Sequence, residues 1–291
     1  MAEPALSLVD QINTNGHIPI PFKAPYSKFE EAHDAMAESA KELQERGLQN
    51  FGWKLNPEKR GSRVGYKFAK REEGKTDNKI FFHEHPDAHP LFNEFLRNRD
   101  LPKTNKFLFL VSDLYKHAAD AARDYLTVLD EAFPGIKNEF DPEGEELKGY
   151  LRMLQYKSNP DNDNLATGHN DIGHLTLQLY ESGPGLWMDP ITAEKPIPVE
   201  KHEGTALGFR GFQLHLLLKH LGYENFDQML PDYHGVSDIP GENRDGTRRS
   251  TVFFLDHPSL YFSNDYGDTH KKIVGLHDNL SPIFWNPNLQ S

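Results

Sequence analysis

Along the first half of the chain, apolar residues recur at helical spacing. Phe29, Ala32, Met36, Ala40 and Leu43 share one face of a segment that Ser27 would cap and Gly47 would stop. Val111, Leu114, Ala118, Ala122, Tyr125 and Leu129 keep the same period over residues 105–133, and Pro134-Gly135 ends it. Ahead of both, Ile18-Pro19-Ile20-Pro21 reads as extended, because proline fixes its own φ and restricts the residue before it. Residues 51–79 read as strands and loops.

Past an acidic loop at 139–146 the period shortens to two. Leu175, Leu177 and Leu179 alternate with Thr176, Gln178 and Tyr180. Phe212, Leu214, Leu216 and Leu218 alternate with Gln213, His215, Leu217 and Lys219, so this stretch is also expected as a strand. A further strand is expected over 248–255. Glycine and proline separate these runs, as in a sandwich or jelly roll. The expected fold is mainly β with buttressing helices. It would be a single unit with a helical and mixed N-terminal region (1–148), a jelly-roll core (149–258) and a C-terminal segment (259–291).

Composition narrows the classes. With 291 residues, 26% charged and 11% aromatic, the chain reads as globular and able to bury a sizeable core. Lys and Arg number 32 against 44 Asp and Glu, and the balance of −12 argues against a nucleic-acid partner. The basic exception is 51–79, where nine Lys/Arg face four acids; it reads as a solvated hairpin or as a positive lip over an anionic small-molecule substrate. No apolar run approaches the ~18 residues of a membrane span, and the start lacks the basic-then-apolar order of a secretory signal, so a cytoplasmic location is expected. Without cysteine there is neither disulfide nor thiolate chemistry. Fifteen histidines leave room for a metal held by imidazole and carboxylate.

Such a site is suggested by Gly168-His169-Asn170-Asp171. Residues i and i+2 of a strand share a face, so His169 and Asp171 can aim at one ion, and a histidine from a distant strand would complete a facial triad. His234 is preferred for that place, with His215, His220 and His270 as competitors. Arg248 and Ser250 are again i and i+2, a planar fork beside a hydroxyl that suits a carboxylate, whereas Arg249 points to the opposite face. Tyr156 offers a phenol on the strand before the His-x-Asp pair. The run His83-Glu84-His85-Pro86-Asp87-Ala88-His89 could hold a second ion, but its prolines suggest a loop of solvated side chains.

Taken in this order, the elements resemble the isopenicillin N synthase-like branch of the iron(II)/2-oxoglutarate-dependent oxygenases. The resemblance covers residues 149–258: strand-Tyr, His-x-Asp, Gly-Leu, distal His and Arg-x-Ser-x-x-Phe-Phe. It implies a double-stranded β-helix, a distorted jelly roll. It also implies Fe(II) on His169, Asp171 and His234, with the far carboxylate of 2-oxoglutarate held by Arg248, Ser250 and Tyr156. The implied reaction uses O2 to hydroxylate, desaturate or cyclise a small molecule, such as a secondary metabolite, with formation of succinate and CO2. Departures are Leu154 where an asparagine is usual and Gly235 where an arginine usually follows the distal histidine. Longer spacings suggest insertions at 221–230 and 237–247, which with 51–89 are expected to form a lid over the mouth. Two alternatives are an iron oxidase of the same fold that does not use 2-oxoglutarate, and a non-catalytic jelly roll that binds a small ligand.

Overall fold

Two long apolar stripes become two helices that pack on one face of a large sheet. The computed structural model describes residues 7–56, 62–68, 79–142, 144, 147–157, 164–190, 193, 195–200, 202–224, 226–237, 239 and 246–257. In order these form α1 (Leu8–Asn15), β1 (Ile18–Pro21), α2 (Tyr26–Glu45), β2 (Gly52–Lys54), β3 (Arg63–Phe68) and β4 (Lys79–Glu84). A 3-10 turn (Pro86–Ala88) leads to α3 (His89–Leu96), α4 (Pro102–Ala132) and α5 (Ile136–Phe140). Then follow β5 (Gly149–Lys157), β6 (Asn164–Asn170), β7 (Leu175–Glu181), β8 (Leu186–Asp189), β9 (Ile197–Pro198) and β10 (Thr205–Arg210). The remainder is α6 (Phe212–His220), a second 3-10 turn (Phe226–Gln228), β11 (Tyr233–Ser237) and β12 (Thr247–Leu255). No described helix is long and apolar enough to cross a membrane.

Eight strands form a large antiparallel sheet in the order β1-β10-β7-β12-β5-β4-β3-β2, and four form a smaller one, β6-β11-β8-β9. Alternation along each strand sorts the side chains into two cores. Leu151, Met153, Leu175, Leu177 and Phe253 face outward onto α2 and α4. Leu154, Tyr156, Leu207, Phe209 and Val252 face inward and meet Leu165, Leu186, Met188 and Val236 of the smaller sheet. The helices therefore brace the back of the large sheet and leave its other face to meet the smaller sheet.

Several expectations need correction. Ser27 does not cap α2, which starts one residue earlier after Pro25; the Tyr26 amide instead donates to Glu203 Oε1 at 2.8 Å, so a carboxylate distant in sequence serves as cap. Helix α4 begins with Pro102 at its first turn, and Glu42 of α2 accepts from the Lys103 and Thr104 amides. The expected strand at 212–218 is helix α6. Gln213 and His215, whose polarity created the apparent alternation, are both buried, and the segment holds no β-branched residue to oppose a helix.

Residues 51–89 are not a lid in their described part. They supply β2, β3 and β4, three strands of the large sheet, and Phe82 packs among Phe51, Tyr66, Phe92 and Phe107. Nor is 221–230 a mouth insertion: Tyr223 donates to Pro134 O at 2.6 Å and stacks edge-on against Phe133, while Met229 is buried in the outer core. The expected insertion at 237–247 lies mostly outside the described residues, as do the segment 259–291 and His270.

This packing can be checked by two stability measurements. Phe82→Ala should lower the unfolding free energy by about 3–5 kcal/mol in urea titrations, because it empties a site in a closed aromatic cluster; a lid residue would cost far less. His33 of α2 is fully buried with Nε2 3.0 Å from Thr251 Oγ1, and burial, aided by Arg249, pushes its pKa down to about 3. The unfolded chain therefore takes up a proton at pH values where the folded chain does not. The His33 contribution is fully present above its ordinary value of 6.5 and is lost as pH falls from there toward about 3. Stability measured across that window should fall less steeply in His33→Asn, by up to about 1.4 kcal/mol per pH unit.

Candidate metal and cosubstrate site

Strands β6 and β11 pair so that His169 and His234 stand directly opposite each other, with their rings 4.6 Å apart. Asp171 lies just beyond β6, where the chain turns toward β7. The turn is fixed from below by the start of α6: the Phe212 amide donates to Asp171 O at 2.8 Å and the Gln213 amide to Gly173 O at 2.9 Å. Gly211 has no room for a Cβ, which would collide with the Gly173 carbonyl. The result brings three side chains together. Asp171 Oδ1 is 3.7 Å from His169 Nε2, and Asp171 Oδ2 is 3.7 Å from His234 Nε2.

All three ligand atoms lie within 4.8 Å of one another. Nitrogen and oxygen ligands bind first-row ions at about 2.0–2.2 Å, so two of them on one ion can be at most about 4.4 Å apart. The 3.7 Å pairs fit a shared ion with little movement. Neighbouring groups orient the ligands. The Thr176 hydroxyl donates to Asp171 Oδ2 at 2.7 Å, and His234 Nδ1 donates to Asp232 O at 3.1 Å, which leaves Nε2 with its lone pair. Burial alone would raise the Asp171 pKa, but His234, His169, the Thr176 hydroxyl and Arg152 together hold it below the ordinary carboxylate range. The side chain of His169 is 49% exposed, so the group opens to solvent on one side.

Behind His234 lies a pair that sequence reasoning missed. Asp232 accepts from the Arg210 amide at 2.6 Å and from its Nε at 3.1 Å, and Arg210 Nη2 is 2.5 Å from the other oxygen. Both side chains are buried, and Arg210 Nη1 reaches on to Asn13 of α1. No motif announces this pair, because the atom that orients His234 is a backbone carbonyl. The Gly235 departure is also explained: a Cβ there, or at Gly168, would collide with the Trp187 indole that lies across both strands.

Arg248, Ser250 and Tyr156 all face the space between the sheets, and Arg248 sits opposite Tyr156 in register. The Arg248 guanidinium is fully buried. Its Nε donates to Pro184 O at 3.2 Å, yet neither terminal nitrogen makes an aligned hydrogen bond. Glu181 Oε2 lies 2.6 Å from Nη2, an ion pair whose N–H does not point at the carboxylate. Strand alternation does not anticipate this neighbour, because a bulge in β7 shifts parity: Tyr180 turns outward onto Phe29 and Glu181 turns in. Arg249 faces away and pairs with Asp34 of α2 at 2.7 Å.

The competing histidines are engaged elsewhere. His215 sits inside α6 with Nδ1 3.1 Å from Phe226 O, and His220 ends that helix. The 83–89 run is not a solvated loop: His83 and Glu84 belong to β4, and His89 pairs with Glu84. Disrupting the support behind His234 should be felt at the metal. Asp232→Ala should weaken Mn(II) or Fe(II) binding by about 10–100-fold in equilibrium titrations. It should also cost about 3–5 kcal/mol of stability, because Arg210 would be left buried and unpaired.

No protein-family model matches the sequence, and no curated protein matches it. Solved structures do. A Caulobacter crescentus protein placed in the 2OG-Fe(II) oxygenase family superposes with TM-score 0.64 at 21% identity, over 87% of this chain and 81% of its own. A full-length Neurospora crassa protein, solved in complex with alpha-KG, gives TM-score 0.65 at 18% identity over 86% and 78%. The Arabidopsis thaliana dioxygenase for auxin oxidation 1, solved with 2-oxoglutarate, gives 0.55 at 16% over 92% and 96%. The chain has the jelly-roll fold of the 2OG-Fe(II) oxygenases, with helices packed on its large sheet.

Proposed function

We propose that the chain is an Fe(II)- and 2-oxoglutarate-dependent oxygenase that acts on a small molecule as one catalytic unit. The observation that carries this is the convergence of His169, Asp171 and His234 at one end of a jelly roll, with the orphaned donors of Arg248 buried in the same interior. His169, Asp171 and His234 would hold one ion from one side and leave its other side open to cosubstrate and O2. Bound there, Fe(II) supplies oxidative decarboxylation of 2-oxoglutarate to succinate and CO2, coupled to oxygen transfer into a C–H bond of the substrate.

The residues do the rest. Thr176 and Asp232 orient Asp171 and His234. Arg248 offers buried N–H groups that a carboxylate would satisfy, and charge-assisted bonds in a dry site are strong. Ser250 Oγ accepts from Gln178 Nε2 at 3.0 Å and so keeps its own proton to donate. The motif order supports the isopenicillin N synthase-like branch, and hydroxylation is its simplest outcome.

One observation favours a second reading. Glu181 already lies against Arg248, so the guanidinium could be neutralised from within, as in an iron oxidase of this fold that needs no 2-oxoglutarate. Anaerobic titration decides between them. In the first reading, Fe(II) with 2-oxoglutarate gives a visible charge-transfer band and succinate accompanies turnover; His169→Ala or Asp171→Ala abolishes both. Arg248→Ala should weaken 2-oxoglutarate binding by about 2–5 kcal/mol, while Arg249→Ala leaves it nearly unchanged. A wild-type protein that binds Fe(II) but ignores 2-oxoglutarate would support the second reading and refute the first.

A further inference from the structure

Arg152 of β5 faces the same interior as Tyr156 and Arg248, and neither the triad nor the proposed cosubstrate site uses it. Its guanidinium carbon lies 4.5 Å from the ring centroid of Phe254 and 5.5 Å from that of Phe81. Its Nε donates to His83 Nε2 at 2.5 Å. His83 is set to accept, because its Nδ1 donates to Arg63 O at 2.7 Å. The imidazole and the two rings thus flank the guanidinium, and its hydrogen bond to the imidazole uses Nε and not the Nη groups. Among the described residues, no carboxylate lies within ion-pair distance of Arg152.

The surroundings add charge of the same sign. Strand parity and register place Arg63, Lys67, Lys79 and Arg152 on the concave face of β3, β4 and β5, where no inward position of these strands carries an acid. Lys67 lies 5.5 Å from the Phe81 ring centroid and Lys79 lies 5.7 Å from that of Tyr156. Arg152 is packed deeply yet retains access to solvent, as expected of a side chain lining a recess. Phe209, whose ring centroid lies 4.8 Å from that of His234, belongs to the same inter-sheet core as Leu154 and Tyr156, so the triad borders the interior that Arg152 faces. A cation packed against rings without a paired carboxylate is costly to a fold, and three rings hold this one.

We infer that Arg152 is the receptor for a carboxylate on the primary substrate, which makes that substrate a small organic acid lying between β5 and the triad. This rests on the oxygenase reading only for the word substrate; the anion site itself stands on the geometry of Arg152, His83, Phe81 and Phe254. Recognition would be bidentate through the Nη edge, with Lys67 and Lys79 adding attraction. An acid would be selected over its amide because the amide leaves the cation uncompensated.

The test uses the full chain with Mn(II), titrated calorimetrically with benzoate, phenylacetate and hexanoate, each against its neutral amide. At least one acid should bind the wild type tenfold or more tightly than its amide. Arg152→Met should remove that preference, Arg152→Lys should keep part of it, and Arg249→Gln should keep all of it. Arg152→Met should also melt at the same temperature as the wild type or higher, since it removes a cation that no carboxylate pairs and keeps an apolar stem against Phe81 and Phe254. No acid preference in the wild type, preference that survives Arg152→Met, or a melting temperature lowered by several degrees would each overturn the inference. Titrating 2-oxoglutarate into the same samples separates the two readings. Acid selectivity without a 2-oxoglutarate response would sink the oxygenase reading alone, and a 2-oxoglutarate response without acid selectivity would sink this one alone.

Discussion

The meeting of His169, Asp171 and His234 depends on a backbone junction. Three amides at the start of α6 donate to the carbonyls of Asp171, Gly173 and His174, where the chain leaves the small sheet and enters the large one. These bonds set the direction of Asp171. Without them a carboxylate just beyond a strand end would be free to swing toward solvent, and two histidines facing each other across a β ladder would be only two ligands. The helix amides also leave fewer unpaired donors at the end of a mostly buried helix. One contact thus satisfies the helix and aims the ligand.

How much of this was legible in the sequence varies with the physics involved. His169, Asp171 and His234 were legible because strand periodicity and residue chemistry point the same way. Arg248 and Arg249 could be told apart because parity along a strand is strict. The failures have equally definite causes. At 212–218, alternation counted Gln213 and His215 as solvent-facing, whereas tertiary packing buries both in a helix. Glu181 was hidden by a bulge, which changes parity without leaving a mark on composition. Asp232 escaped notice because its carbonyl orients His234 while its carboxylate binds Arg210. The resemblance supplied the proposed roles, and geometry supplied the reasons these side chains meet.

Three arginines of the large sheet show how differently one side chain can be used. Arg210 is fully paired by Asp232 and serves as a strut from β10 to α1. Arg248 is partly compensated by Glu181 and keeps donors in reserve. Arg152 has aromatic faces and a neutral imidazole around it and no carboxylate at bonding distance among the described residues. Ordered this way, carboxylate pairing falls and the structural explanation thins. That gradient runs from a strut to the two side chains proposed to bind anions.

The distant caps on the helices have a consequence for how the chain comes together. Helix α2 starts against Glu203, α4 starts against Glu42, and β1 pairs with β10 across nearly two hundred positions of sequence. A nascent chain must therefore carry its first half with an uncapped helix and an unpaired strand until the region around residue 205 has been synthesised. Closing such long loops slows folding, and the exposed strand edge invites partners in the meantime. Pro19 and Pro21 stand on that strand, where missing amides make it a poor template for other strands. Because the Phe22 amide bonds toward the β10 side, the prolines lie on the opposite edge, which they keep from recruiting strands both before and after β10 arrives.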